Sequence, residues 1–147
     1  MKKNSISIYL SMIERDHNYF MNKELRKFNL GKHDARVLRE IESLNGISQN
    51  EICSNLKEDK MTVSKSVKRL VAQGYIKKSV DASDKRITNL IMTEEGIAVK
   101  KEILEILTRV NSIFLRNFET EDQEQVINIL KNLFMNISSE VTRLKDN

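Results

Sequence analysis

The chain of 147 residues contains no proline and only four glycines, so very few of its residues interrupt a helix. Aromatic residues make up 5% of the chain, which is little for a β-sandwich or a barrel. Apolar residues make up 39% and charged residues 31%, enough to form a core and too mixed in sign for a disordered chain. The length falls within the roughly 100 to 200 residues of one domain. We therefore predict one folded, mainly α-helical chain.

The N-terminal segment does not have the pattern of a secretion signal. Its apolar run is interrupted by Glu14, Arg15 and Asp16 before any cleavage site of small residues. No stretch has the roughly 18 consecutive apolar residues of a membrane span. The single cysteine, Cys53, cannot form an internal disulfide, which fits a reducing compartment. These features predict a cytoplasmic protein that does not enter the membrane.

Helical spacing of apolar residues predicts two helices in the first third of the chain. The first runs from Ile6 to about Phe28 and is broken by residues 29–31. The second is expected to end at Asn45 and Gly46, because glycine after the last periodic residue is a stop signal. Its inner side carries Ala35, Val37, Leu38, Ile41 and Leu44.

Two further helices have clear start signals. Ser48, with Glu51 three residues later, forms a capping box and predicts a short third helix that ends near Leu56. Asp59 is the expected N-cap of a fourth helix, which Gly74 ends. The predicted inner stripe of the fourth helix consists of Val63, Val67, Leu70 and Val71, and Cys53 is turned inward on the third.

After Gly74 the pattern changes. Residues 75–80 and 87–92 are short and rich in β-branched side chains, and a turn-rich stretch separates them, which predicts a β-hairpin. Thr93 then caps a long helix that runs to about Phe118. A last helix begins at Thr120 and has an apolar face wider than one stripe. That face either completes an intramolecular core or contacts a second copy of the chain.

Positive charge is concentrated in the fourth helix and the hairpin. Between Lys60 and Arg86 eight basic side chains stand against two acidic ones, whereas the whole chain has a net charge of only +4. One alternative is a solvated helix face. The other is a surface that binds a duplex, because a basic helix and a basic hairpin are the two elements that a winged helix directs at DNA.

The order of these elements favours DNA binding. Residues 48–56 and 59–73 supply the two helices of a helix-turn-helix, whose second helix enters the major groove. A hairpin with a basic tip can add phosphate or minor-groove contacts, and Arg86 is placed for that role. Asp84 can orient the Arg86 guanidinium, or it can be a simple turn residue.

Two blocks of sequence resemble the MarR family of winged-helix regulators. The first is SQNEICSNL at residues 48–56 with MTVSKSVKRL at 61–70 and Gly74. The second is DASDKR at residues 81–86 with MTEEG at 92–96. The wing block is the more specific of the two, since a helix-turn-helix occurs in many regulators. With the helical tails at both ends, the resemblance covers nearly the whole chain.

The resemblance implies a DNA-binding role for particular positions. Thr62, Ser64 and Lys65 match positions that contact bases, and Lys68 and Arg69 match phosphate ligands. Arg86 matches the wing arginine of the minor groove, and Asp84 matches the acidic residue that supports it. The full predicted set is Lys60, Met61, Thr62, Ser64, Lys65, Lys68 and Arg69 on the recognition helix and Lys85 and Arg86 on the wing, with Asp84 in support.

Three positions depart from the family pattern. Met61 and Ala82 stand where prolines are frequent, and Lys65 stands where arginine is frequent. A lysine cannot make the bidentate contact of arginine with guanine. The operator sequence therefore does not follow from the resemblance.

The resemblance also implies a homodimer. Residues 1–30 and 118–147 would form the dimerisation helices, 31–96 the DNA-binding lobe and 97–117 the connecting helix. The fold class is then mainly α with a small β-hairpin wing, a winged helix-turn-helix between N- and C-terminal dimerisation helices. Such a dimer would bind a palindromic operator, as a repressor that responds to a small aromatic or amphipathic ligand and has no cofactor.

Other chemistries have weaker support. Cys53 is either a packed side chain or an oxidant sensor. His17 and His33 lie in no metal-ligand motif, so we expect no metal site. The chain has no phosphate loop or nucleophile motif, and we expect no enzyme. Two alternatives to a specific regulator stay open, namely a winged-helix module that binds protein partners and a non-specific DNA-binding protein.

Overall fold

The computed structural model describes residues 5–42, 46–80, 83–84 and 88–146. The predicted fold class is confirmed, because the described part is mostly helical with a small antiparallel sheet. The helices are α1 Ile6–Leu25, α2 Lys32–Glu40, α3 Gln49–Leu56, α4 Lys60–Ala72, α5 Glu94–Phe114 and α6 Thr120–Lys145. The strands are β1 Ile47–Ser48, β2 Ile76–Val80 and β3 Thr88–Met92, and a 3-10 turn, Arg26–Phe28, follows α1.

The chain divides into two compact units, one up to Ile106 and one from Leu107 onward, and the division falls within α5. The first unit contains the sheet and the helix-turn-helix. The second contains the end of α5 and all of α6, in which no side chain is fully buried. In the described part of the chain, no helix combines the length and hydropathy that crossing a membrane requires.

The sheet has one strand more than the predicted hairpin. β2 and β3, the two predicted strands, pair antiparallel from Ile76 opposite Met92 to Val80 opposite Thr88. β1 pairs with the other edge of β3, with Ile47 opposite Leu90. A two-residue strand has no periodicity of its own, so sequence analysis could not find it. Through β1, the residue before α3 is tied to the sheet.

Helix α2 ends earlier than predicted. It stops at Glu40, and Ile41 is extended with ψ of 121° although its side chain is fully buried. The Lys100 ammonium of α5 donates to the carbonyl oxygens of Arg39 and Ile41, at 2.9 Å each. These bonds satisfy carbonyls that a helix end leaves without partners. Leu44 and Asn45 lie outside the described residues, and Gly46, the other residue of the predicted end, has φ of 62°.

The core of the first unit forms where α2, α3 and α4 pack together. Its fully buried side chains include Val37 and Leu38 of α2, Ile41 just after that helix, Ile52 of α3, Val63 and Leu70 of α4, and Ile76 of β2. Val67 of α4 is nearly as buried. The prediction for Val71 was wrong, because this side chain is 38% exposed. It lies about 75° around the helix from the centre of the stripe formed by Val63, Val67 and Leu70.

The start of α5 lies directly on the turn between α4 and β2. Thr93, as predicted, caps the helix: its Oγ1 accepts a hydrogen bond from Gly96 N (3.0 Å) and donates one to Gly74 O (2.6 Å). The Tyr75 carbonyl accepts from Thr93 N at 3.0 Å. A Cβ at Gly96 would lie 1.9 Å from that same carbonyl oxygen. The contact between α5 and the turn therefore requires glycine at position 96.

We expect Gly96→Ala to lower the free energy of unfolding by at least about 2 kcal/mol, because the added methyl overlaps backbone that Thr93 already holds. Ala98→Ser, at an exposed position of the same helix, should change it by less than about 0.5 kcal/mol. Chemical denaturation of the two variants and the parent measures the difference. Equal stability of both variants would contradict the close approach.

Candidate nucleic-acid interface

The first helix of the helix-turn-helix begins with the predicted capping box. Ser48 Oγ accepts from Glu51 N at 3.3 Å, and the Glu51 carboxylate accepts from Ser48 N at 2.8 Å and from Ser48 Oγ at 2.6 Å. The two hydrogen bonds from Ser48 lower the pKa of Glu51. The helix ends at Lys57, which adopts the left-handed conformation with φ of 52°. The capping box and this left-handed residue set the two ends of α3.

The recognition helix α4 begins with the predicted cap as well. Asp59 accepts from Thr62 N at 2.9 Å and from Thr62 Oγ1 at 2.6 Å, and these bonds lower the pKa of the Asp59 carboxyl. Because the pKa of Asp59 is lower in the folded state, its hydrogen bonds with Thr62 stabilise the fold fully at pH values above the usual pKa of a carboxyl group. This stabilisation is lost as the pH falls through the lowered pKa. Because Thr62 Oγ1 donates to Asp59, the hydroxyl proton of Thr62 is already used in a hydrogen bond within the chain.

The two faces of α4 differ in chemistry. One face is buried and apolar, as described above. The opposite face exposes Met61, Lys65, Lys68 and Arg69, and Thr62 and Ser64 lie half-buried at its edges. Lys60, the first residue of the helix, is also exposed but lies on the side of Val71. The helix contains no acidic residue. Six of the seven predicted recognition-helix residues thus lie on the outer side or at its edges, and the seventh, Lys60, is exposed at the start of the helix.

Arg69 also has a partner inside the chain. Its Nη1 donates to Asp34 Oδ2 at 2.7 Å, and the same oxygen accepts from Gly31 N at 2.8 Å. The Asp34 side chain is only 3% exposed, whereas that of Arg69 is 55% exposed. Sequence analysis missed this ion pair. The available signal was an acidic residue in the first turn of α2, which by itself indicates only a helix start.

A second set of polar contacts joins α4 to α2. Ser66 is buried on the inner side of α4, and its Oγ lies 2.9 Å from His33 Nδ1. Glu58, just before α4, accepts from Arg36 Nη1 at 2.9 Å and lies 3.6 Å from His33 Nε2. His33 therefore packs between the two helices. Its neighbours are a hydroxyl and a carboxylate.

The wing is described on both sides of its tip. Lys77 and Lys78 of β2 are exposed, as are Ser83 and Asp84. Lys85 and Arg86 lie outside the described residues, so the support of Arg86 by Asp84 stays a prediction.

The remaining candidate groups are dispersed. Cys53, predicted to point inward, is half-buried on α3. Burial and the positive charge of Lys32 lower the pKa of His17. Within residues 5–42, 46–80, 83–84 and 88–146, no three or more His, Cys, Asp and Glu side chains form a group that could hold a metal ion.

Comparisons with known proteins agree with this arrangement. A family model described as a winged helix DNA-binding domain matches residues 30–96. An uncharacterised HTH-type transcriptional regulator of Bacillus subtilis, YybA, is 28% identical over 91% of this chain and 89% of its own. A MarR protein from Peptoclostridium difficile has a TM-score of 0.82 and 27% identity, over 98% of this chain and 95% of that one. S. aureus MepR, solved as a complex with DNA, has the same fold, with a TM-score of 0.80 and 22% identity over 91% and 99%.

Two alanine variants test whether Arg69 stabilises the fold through its ion pair with Asp34. They are Arg69→Ala and Lys68→Ala. Arg69→Ala should lower the free energy of unfolding by roughly 1 to 2 kcal/mol, because it leaves the buried Asp34 carboxylate without its charged partner. Lys68→Ala removes only an exposed side chain and should change it by less than about 0.5 kcal/mol. Urea denaturation at neutral pH gives both values. Equal effects would show that the pair with Asp34 does not stabilise the fold.

Proposed function

We propose that the chain, which is similar to winged-helix transcription regulators of the MarR type, binds a palindromic operator as a homodimer and acts as a ligand-responsive repressor. Acting on a bacterial genome, it would work in the cytoplasm. Its activity is binding, and the proposal includes no catalytic step and no cofactor.

The observation that carries this proposal is the outer face of α4. Lys65 and Lys68 are exposed there, Lys60 is exposed at the start of the helix, and the inner face of the same helix is packed into the core. A helix held in this way presents its outer side chains at fixed positions, as recognition in the major groove requires. The DNA complex of MepR, which shares the fold, supports duplex DNA as the partner.

The residues divide into proposed roles by their position. Ser64 and Lys65 contact base edges, and Lys60 and Lys68 bind phosphates. Thr62 contributes through the oxygen lone pairs of its hydroxyl, since its proton is bound by Asp59. Arg69 reaches phosphate with the part of its guanidinium that Asp34 does not use. On the wing, Lys85 binds phosphate, and Arg86, oriented by Asp84, enters the minor groove.

The dimer is supported by exposed apolar side chains in each unit. On α1 these are Ile6, Tyr9, Leu10, Met12 and Ile13, and on one side of α6 they are Ile127, Leu130, Phe134, Ile137, Val141 and Leu144. Rows of large apolar side chains on a helix are typical of interfaces. We propose that both rows contact a second copy of the chain. Residues 1–30 and 118–147 then serve as dimerisation segments, with 97–117 as the connection.

Regulation follows from the twofold arrangement. The two recognition helices of a dimer must lie about one helical turn apart, or roughly 34 Å, to occupy both half-sites. A small aromatic or amphipathic ligand that prefers another spacing would reduce the DNA-competent population. Oxidation of Cys53 is a second, weaker route to the same change, since the thiol is half-buried.

Two alternatives predict different binding behaviour. A winged-helix module that acts through protein partners would not enrich any duplex sequence. A non-specific DNA-binding protein would bind duplexes with a steep salt dependence and little discrimination among sequences. The basic outer face of α4 favours DNA over a protein partner, because charged residues are depleted at the centres of protein interfaces.

Selection of the purified protein against a random duplex library at physiological salt tests the proposal. We expect enrichment of a palindrome whose half-sites lie about one turn apart. Arg86→Ala should bind that palindrome about tenfold more weakly, because it removes the minor-groove contact. Fluorescence anisotropy with labelled duplexes measures both affinities. A folded protein that enriches no sequence would contradict the proposal.

A single charge on α6 should separate the dimer. Ile137 is 62% exposed, so Ile137→Glu should leave the fold intact and shift the mass in solution from dimer towards monomer. Asn128→Glu places the same charge on the opposite side of α6 and should stay dimeric. Sedimentation equilibrium gives the masses. If Ile137→Glu has the same mass as the parent and Asn128→Glu, the proposed interface is wrong.

A further inference from the structure

Met61 occupies an unusual position on the recognition helix. It is the second residue of α4, and its side chain is 71% exposed. At 100° per residue it lies about 155° from the centre of the stripe of Val63, Val67 and Leu70. The exposed side chain therefore lies at the middle of the outer face, at the N-terminal end that enters a groove first.

The surroundings of Met61 are basic and polar. Lys65 and Lys68 lie about 40° and 20° from it around the helix, one on each side. The neighbouring hydroxyl of Thr62 is bound to Asp59 (2.6 Å), and Gln49 Nε2 donates to the carbonyl of Lys60 at 3.4 Å. These contacts hold the first turn of α4 in place. On a helix turn held in this way, the flexible, polarisable thioether of Met61 can adjust to an apolar group that lies against it.

The charges around Met61 favour a polyanion rather than a protein as its partner. Apolar side chains that contact proteins lie among other apolar residues, whereas this one has lysines on both sides. In the major groove of a duplex, the apolar group that side chains contact is the C5-methyl group of thymine.

We propose that Met61 packs against the C5-methyl group of one thymine in each half-site, and that this contact makes Met61 a specificity-determining residue. The proposal rests on the function proposed above, since it requires sequence-specific binding with α4 in the major groove. Lys65 and Lys68, on either side, bring the helix to the phosphates and base edges. Met61 then selects the base pair that presents a methyl group.

The test replaces thymine by deoxyuridine in the palindrome that the selection enriches, which removes only the methyl group. At one symmetric position we expect the affinity of the parent protein to fall about fourfold per half-site and about 15-fold when both half-sites are changed, as for the loss of one buried methyl group each. Met61→Ala should bind thymine and deoxyuridine duplexes within a factor of about two of each other. Met61→Leu, which keeps an apolar side chain, should retain most of the sensitivity.

Val71→Ala is the matched control, because Val71 is also apolar and exposed but lies near the C-terminal end of α4. This variant should be as sensitive to deoxyuridine as the parent. Thermal unfolding verifies that all variants are folded.

Two results would overturn the inference alone, and a third would remove its basis. A palindrome whose affinity is unchanged by deoxyuridine at every thymine, or a full deoxyuridine effect that persists in Met61→Ala, would show that Met61 contacts no methyl group. Either result leaves the sequence-specific regulator standing. If the parent protein enriches no sequence at all, the proposed function fails, and the inference fails with it.

Discussion

The interaction on which the DNA-binding unit depends is the attachment of α4 to α2. Apolar side chains supply most of the contact, but Asp34 adds a directional one: its buried carboxylate accepts from the backbone at Gly31 and from the Arg69 guanidinium. A buried charge is stable only when it is paired and hydrogen-bonded. The orientation in which both bonds form is therefore favoured over other rotations of α4 about its axis, and the choice of outward-facing residues follows from that orientation.

The N-terminal half of α4 is held by a different set of bonds. Asp59 binds both the backbone and the hydroxyl of Thr62, and His33 lies against Ser66 on the inner side. Among these groups, the Thr62 hydroxyl is one that the sequence analysis predicted to contact bases. The side chains left for the duplex are long and flexible, with Lys65 and Lys68 beside Met61. A rigid backbone with adaptable side chains suits contact with a groove whose shape varies with sequence.

In the second unit, α6 buries no side chain completely within the single chain. Its large apolar residues face solvent along several turns, as do those of the first half of α1. Exposing this much apolar surface is unfavourable in water, and burial against another copy would remove the cost. In the proposed dimer, dimerisation and DNA recognition are linked, since the association that covers the apolar rows would also place two copies of α4 on one duplex.

Sequence alone determined the elements whose signals are local. Ser48 with Glu51, Asp59 with Thr62, and Thr93 with Gly96 are bonded three residues apart, and the strands β2 and β3 follow from their β-branched runs. Tertiary structure decided what depends on distant residues. Lys100 sets the end of α2, β1 exists only as a partner of β3, and Arg69 finds Asp34 across 35 residues. The physical reason is the separation of the partners along the sequence. A cap joins residues three apart and needs no distant partner, whereas an ion pair between distant residues or a two-residue strand forms only after packing brings its partners together.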